Sequence, residues 1–287
     1  MVRQGARAHR AVRTTDAVFR AVLAARAFVA RDVAIRLSYR AKLSLSLLSS
    51  AVTLVTLTFV GRVVAGSGPG FQARYGMSYT TFALVGVIVH GAAATGLHAF
   101  RASLRREQLQ GTLEVLLSSG LPPPVLVVLS GVGDVLVACA GGAALAAVCS
   151  RVFGFPVHAS PSLVAASACY VAAMCGLGLA SAGIVVVCKE GDPVGWTLGG
   201  LSSIAGGVYF PVDVLPPWLA AFSRALPTTH ALRAVRAAAV RGGAAAGPDP
   251  ASLRFLAAAA IVSVAAGLLV LLWGLRRSRR LGTLGEY

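Results

Sequence analysis

Stretches of about 20 residues without a charged side chain recur along this chain, and a stretch of that kind limits the possible folds more than any motif does. Residues 43–61 carry no charge, 76–100 contain no Asp, Glu, Lys or Arg, and 125–150 are interrupted only by Asp134. The runs 162–188, 193–210 and 255–275 follow the same pattern. At about 1.5 Å per residue each crosses most or all of a hydrocarbon core roughly 30 Å thick. The apolar residues are continuous, whereas barrel strands alternate apolar and polar positions, so the expected fold is all-α and integral to a membrane, with six spans. The fifth span is the weakest helix of the six, because it holds Gly195, Gly199, Gly200, Gly206 and Gly207. Composition agrees: 56% of residues are hydrophobic, 13% are charged and the mean hydropathy is +0.76, against about 25% charged in soluble domains. The expected division is a cytoplasmic segment over 1–42, one membrane domain over 43–275 and a basic tail over 276–287.

Orientation follows from 26 basic residues. Ten precede position 43, three follow the second span, Lys189 follows the fourth and four follow the sixth, so 18 lie on one side and eight on the other. The positive-inside rule makes the richer side, with both termini, cytoplasmic in a multi-pass protein of the cell membrane. Topogenic arginines and attraction to anionic lipid headgroups account for the net charge of +16, and with no base-stacking module nucleic acid is not an expected partner. The first spanning run starts too far from position 1 for a cleaved secretory core. Thr14-Thr15-Asp16 is a helix start, and 16–42 reads as a helix along the membrane surface.

No catalytic or metal constellation emerges. The five cysteines lack any zinc or C-x-x-C spacing. A phosphate-binding G-x-x-x-x-G-K-[ST] is absent, so any ATP and its magnesium belong to another subunit. Asp134 is the only acid well inside a span, and intramembrane acids are functional candidates because they are costly to insert. It completes Gly131-Val132-Gly133-Asp134, the G-x-G-D pattern of intramembrane aspartyl proteases, but that chemistry needs a second aspartate. The plainer expectation is a carboxyl hydrogen-bonded to another helix or to water. His90 and His98 stand about 12 Å apart along one helix, too far to share a metal ion, and read as hydrogen-bonded packing residues. A non-transporting membrane scaffold is the other alternative.

Two charged or proline-rich stretches break the apolar pattern. The first is Arg105, Arg106, Glu107, Gln108, Leu109, Gln110, Gly111, Thr112, Leu113 and Glu114, leading to Leu117. On a helix Leu109, Leu113, Leu116 and Leu117 form one stripe of about 100°, with Glu107 and Glu114 opposite. The second runs through Gly207-Val208-Tyr209-Phe210-Pro211, Leu215-Pro216-Pro217-Trp218 and Leu226-Pro227-Thr228-Thr229-His230. Its prolines divide the connection into short helices, Trp218 suits a membrane interface, and Arg233 and Arg236 are placed to snorkel to water.

The E-Q-x-x-G-T-L-E-x-L-L run over 107–117 resembles the cytoplasmic motif of type-2 ABC exporter permeases. Arg31-Asp32 and Ser38-Tyr39-Arg40 resemble that family's interfacial segment, and the proline-rich connection its outer hairpin. The family often places a proline soon after the last leucines, whereas Ser118-Ser119-Gly120 intervene here before Pro122. The resemblance implies a permease that pairs as a homodimer or with a related partner, above two copies of an ABC ATPase subunit. The ATPase would push on 101–121, with Glu107 and Glu114 touching it or bracing the coupling helix, while the hairpin over 211–241 (Pro211, Pro217, Trp218, Pro227, Arg236) closes the exit. Few charges in the spans point to an amphipathic, lipid-linked or drug-like cargo.

Overall fold

A computed structural model describes residues 30–31, 40–66, 70–110, 122–153, 160–188, 192–240 and 250–280. Among these residues there are helices and turns but no strand. In chain order the helices are α1 (Arg40–Gly66), α2 (Gly70–Tyr75), α3 (Tyr79–Leu109), α4 (Pro123–Phe153), α5 (Pro161–Cys188), α6 (Pro193–Ala205), α7 (Pro217–Ser223), α8 (Pro227–Val240) and α9 (Pro250–Arg280), with a 3₁₀ turn at Val212–Val214. Six of them begin on a proline, where the missing N–H is one that the first helical turn leaves unbonded anyway. Side chains complete several starts: Ser78 Oγ accepts from the Thr81 N–H, Ser160 Oγ from Leu163 and the Asp192 carboxylate from Gly195.

Five helices among the described residues are long and apolar enough to cross a membrane: α1, α3, α4, α5 and α9. The fifth expected span, 193–210, folds differently. Helix α6 has 13 residues, about 20 Å, which is short of the roughly 30 Å core. It ends where Gly206 and Gly207 turn the chain, Gly207 with φ of 78°, a conformation that a Cβ disfavours. Span limits also shift outward: α3 runs unbroken for 31 residues through Arg101, Arg105 and Arg106, and α9 continues through Arg276 and Arg277. Arginine, glutamate and glutamine are good helix formers, so leaving the apolar zone does not end a helix.

Helix α5 is the centre of the bundle. Lipid tails are as apolar as leucine, so helices in a membrane associate through close packing, and small residues permit it. A Cβ on Gly176 or Gly183 would run into α9 backbone at Ser263 and Val270–Leu271, and one on Gly178 into the Gly96 and Leu97 carbonyls of α3. Gly267 and Gly274 of α9 lie against Gly176 and Gly183 in turn. Both numbers rise together, so α5 and α9 run parallel. One core cluster gathers Ala93, Ala166, Tyr170, Met174, Ala231, Val235 and Leu256, and another Phe100, Val127, Leu179, Ala182, Val186 and Leu271. Helix α1 stands at the edge, touching α3 through Leu57 and leaving Leu48, Val52, Val55, Phe59 and Val63 exposed.

Candidate functional site

One end of the bundle is polar, and α3 organises it. His98, Arg101, Arg106 and Glu107 occupy its last three turns, and at 100° per residue they point to different sides of the helix. On one side is Asp192, whose side chain is 1% exposed. It accepts from Ser181 Oγ of α5 at 2.5 Å and from the Gly195 N–H at 2.8 Å, capping α6. Arg101 Nε lies 2.9 Å from its Oδ2, out of line for a hydrogen bond, and His98 Nδ1 at 3.6 Å, so both attractions are electrostatic. Burial alone would raise the Asp192 pKa, but the Ser181 and Gly195 hydrogen bonds and the Arg101 and His98 charges outweigh it and hold the carboxyl below its ordinary value.

On a second side, Arg106 Nη2 donates to Asp134 Oδ2 of α4 at 2.7 Å, and Ser103 and Ser130 share a buried hydrogen bond at 3.0 Å. On a third, Arg31 Nη2 donates to Glu107 Oε1 at 2.9 Å. Glu107 is buried while Arg31 is 40% exposed. The last turns of one helix are thereby tied to α4, to α5 and α6, and to Arg31 in the segment that precedes α1.

At the other end, the chain from α6 to α8 forms a hairpin. Asp213, Val214, Trp218 and Phe222 are exposed along it, while Val208, Pro211, Ser223, Leu226, Thr228 and Thr229 are buried. Ser223 Oγ donates to the Ala205 carbonyl at 2.6 Å and Thr229 Oγ1 to the Ser223 carbonyl at 2.7 Å, so the hairpin bonds across itself. Tyr170 OH donates to Thr228 Oγ1 at 3.0 Å and lies 2.7 Å from His90 Nδ1, linking α8, α5 and α3. With its proton committed to Thr228, the tyrosine accepts from His90, which fixes the Nδ1–H tautomer. Arg236 donates Nη1 to the Gly207 carbonyl at 2.9 Å, Nη2 to Val208 at 3.1 Å and Phe82 at 3.0 Å, and Nε to Phe82 at 3.2 Å. Its guanidinium stands 3.4 Å from the Phe82 ring centroid, and Phe82 belongs to an aromatic cluster with Phe71 and Tyr75 of α2.

Several expectations change. Arg236 does not snorkel but is buried, because three carbonyls that lipid cannot satisfy converge on it; Arg233 is exposed. Asp134 is hydrogen-bonded to another helix, its partner being the Arg106 guanidinium of α3, and the two buried aspartates hold different cations instead of each other, as a protease dyad would require. His98 faces Asp192 and His90 faces Tyr170, so the histidines serve separate contacts. Arg105 is exposed on α3, Gln108 lies in its last turn, and Arg40 opens α1. Pro211 precedes the 3₁₀ turn, and Pro217 and Pro227 open α7 and α8. Asp32, Tyr39, Gly111, Thr112, Leu113 and Glu114, and most of the surface helix expected over 16–42, lie outside the described residues.

Sequence reasoning found no partner for Asp192, took in Arg101 and Thr228 only as parts of the 101–121 segment and the proline-rich connection, and passed over Ser181 and Tyr170. Asp192-Pro193 carries a usable signal, a capping acid followed by proline at the first helical position. Tyr170 carries none, since a single tyrosine in an apolar run is indistinguishable from packing.

No curated protein matches the chain in sequence. Residues 26–240 match the ABC-2 type transporter family, a stretch that takes in both the polar end of α3 and the hairpin. The chain belongs to the ABC-2 type transporter family and is a membrane-spanning permease subunit of an ABC transporter.

Proposed function

We propose that this permease forms the translocation pathway of an ATP-driven exporter in the cell membrane. It works as a homodimer or with a related partner, above two ABC ATPase subunits that hold the ATP and magnesium. In this reading the polar end and both termini face the cytoplasm, the hairpin lies toward the outer face, and residues 101–121 receive force from the ATPase. The cargo is amphipathic, lipid-linked or drug-like. The division into segment 1–42, membrane domain 43–275 and tail 276–287 belongs to the same reading.

The observation that carries it is the junction at the end of α3. A push on the segment after Leu109 reaches α4 through Arg106–Asp134, α5 and α6 through Arg101–Asp192–Ser181, and the chain before α1 through Glu107–Arg31. Several helices are therefore moved by one lever, which a population shift driven by nucleotide requires. In this arrangement Glu107 braces the lever through Arg31, leaving Glu114 to meet the ATPase.

The test is cargo-stimulated ATP hydrolysis by the permease reconstituted with its ATPase. Glu107→Arg lowers the stimulation at least about tenfold, the scale of a broken buried charge contact, and the exchanged pair Glu107→Arg with Arg31→Glu restores part of it. Glu114→Lys lowers it while insertion is unchanged. If neither Glu107→Arg nor Glu114→Lys alters stimulation, coupling does not pass through this segment.

A further inference from the structure

A charged side chain buried at the hairpin end has no carboxylate partner among the described ion pairs: Arg236 is 8% exposed and all of its described hydrogen bonds end on backbone carbonyls. Those carbonyls come from separate pieces of chain, Phe82 from the first turn of α3 and Gly207 and Val208 from the turn that leaves α6. Only a planar fork of donors spans such a set at once; an ammonium group reaches one or two of the acceptors. The approach is close enough to exclude a side chain on α3, since a Cβ on Gly86 would collide with the Val208 carbonyl and stand 2.6 Å from Arg236 Nη2.

We infer that Arg236 is a clasp: it holds the turn over 206–216 against the start of α3 and closes the bundle at the hairpin end, and its release opens that end during transport. The assignment of release to the transport cycle rests on the permease reading; the clasp itself rests on the geometry. Beyond the buried Gly206, Gly207, Val208 and Pro211, the rest of this turn is exposed or half-exposed, so the attachment of that part to α3 depends heavily on the bonds to Arg236. A charged clasp is also reversible where an apolar one is not. When the turn lifts, the guanidinium loses carbonyls but regains water at the interface, so closed and open arrangements stay close in free energy. The second tie joins the fully buried Thr228 and Tyr170 to the half-buried His90, and it keeps α8 seated while the turn moves.

The experiment is hydrogen exchange of backbone amides in the purified permease in lipid nanodiscs, comparing wild type with Arg236→Gln, Arg236→Lys and Gly86→Ala. Arg236→Gln speeds exchange at Val214 and Leu215 by about tenfold or more, the scale of losing charge-assisted hydrogen bonds, and leaves α5 and α9 unchanged. Arg236→Lys falls between it and wild type, and Gly86→Ala, which keeps the charge but crowds the turn, shifts exchange in the same direction as Arg236→Gln. If Arg236→Gln does not insert, the lysine and Gly86→Ala proteins carry the comparison. In the complex with its ATPase, trapping nucleotide raises wild-type exchange at these amides to the Arg236→Gln level. Equal exchange in all four resting proteins, or a rise spread over α5 and α9, overturns the clasp. So does a trapped complex with working ATP hydrolysis whose turn exchanges no faster than at rest. Absence of cargo-stimulated hydrolysis in wild type removes the proposed ATP-driven exporter reading instead, and the resting comparison still decides the clasp.

Discussion

At the residue scale, Asp192 shows how one side chain serves three elements. Its carboxylate caps α6, accepts from Ser181 of α5 and neutralises Arg101 of α3. Because its folded pKa is depressed, its stabilising contribution is present above the unfolded value near about 4 and is lost as pH falls through the folded value. Thermal unfolding in nanodiscs should therefore show wild-type stability declining below about pH 4. Asp192→Asn, which keeps a capping oxygen but not the charge, melts lower at neutral pH, by roughly 1–3 kcal/mol of stability, and its pH profile is flatter in that acidic range. A wild-type profile that the substitution leaves unaltered rules out the charge contribution. The residue was within reach of sequence reasoning as a cap, but its partners were not, because His98 and Arg101 arrive from a helix far away in the chain and Ser181 from the preceding helix, where a lone serine in an apolar run carries no signal.

At the element scale, the α5–α9 pair is held by glycines seven residues apart on each helix, Gly176 and Gly183 against Gly267 and Gly274. A side chain here meets backbone, which does not yield as a flexible side chain does. Gly176→Val and Gly183→Val should each cost about 1–3 kcal/mol or more through overpacking, read as loss of monodisperse protein and a lower melting temperature. Gly91→Ala and Gly141→Ala, where a Cβ meets open space, should be neutral or stabilising by up to about 1 kcal/mol. The contrast matters more than either value: similar losses at all four positions would mean that propensity rather than packing governs the bundle. The sequence revealed that 162–188 and 255–275 are apolar and rich in small residues, but not that α5 and α9 are neighbours.

At the scale of the whole molecule, the polar junction and the buried Arg236 lie at opposite ends of α3, which begins beside one and ends in the other. A protease-removable tag fused after Tyr287 should be protected in right-side-out membrane vesicles, whereas a cysteine at Trp218, 72% exposed on α7, should react there with a membrane-impermeant thiol reagent; the reverse pattern overturns the proposed orientation. What the sequence determined by itself was the solvent and the class of structure. Long uncharged runs cannot be solvated in water, and in lipid a backbone must bond within its own helix, so an all-helical membrane protein follows from local composition. The motif over 107–117 and the proline-rich connection carried the family. Tertiary structure alone decided that the fifth run stops at 13 helical residues, that Arg236 turns inward, and that Asp134 and Asp192 face different arginines. Each of these depends on which distant group supplies a partner for a charge or a carbonyl in a medium without water. Hydropathy along a chain records the need for such a partner and not its identity.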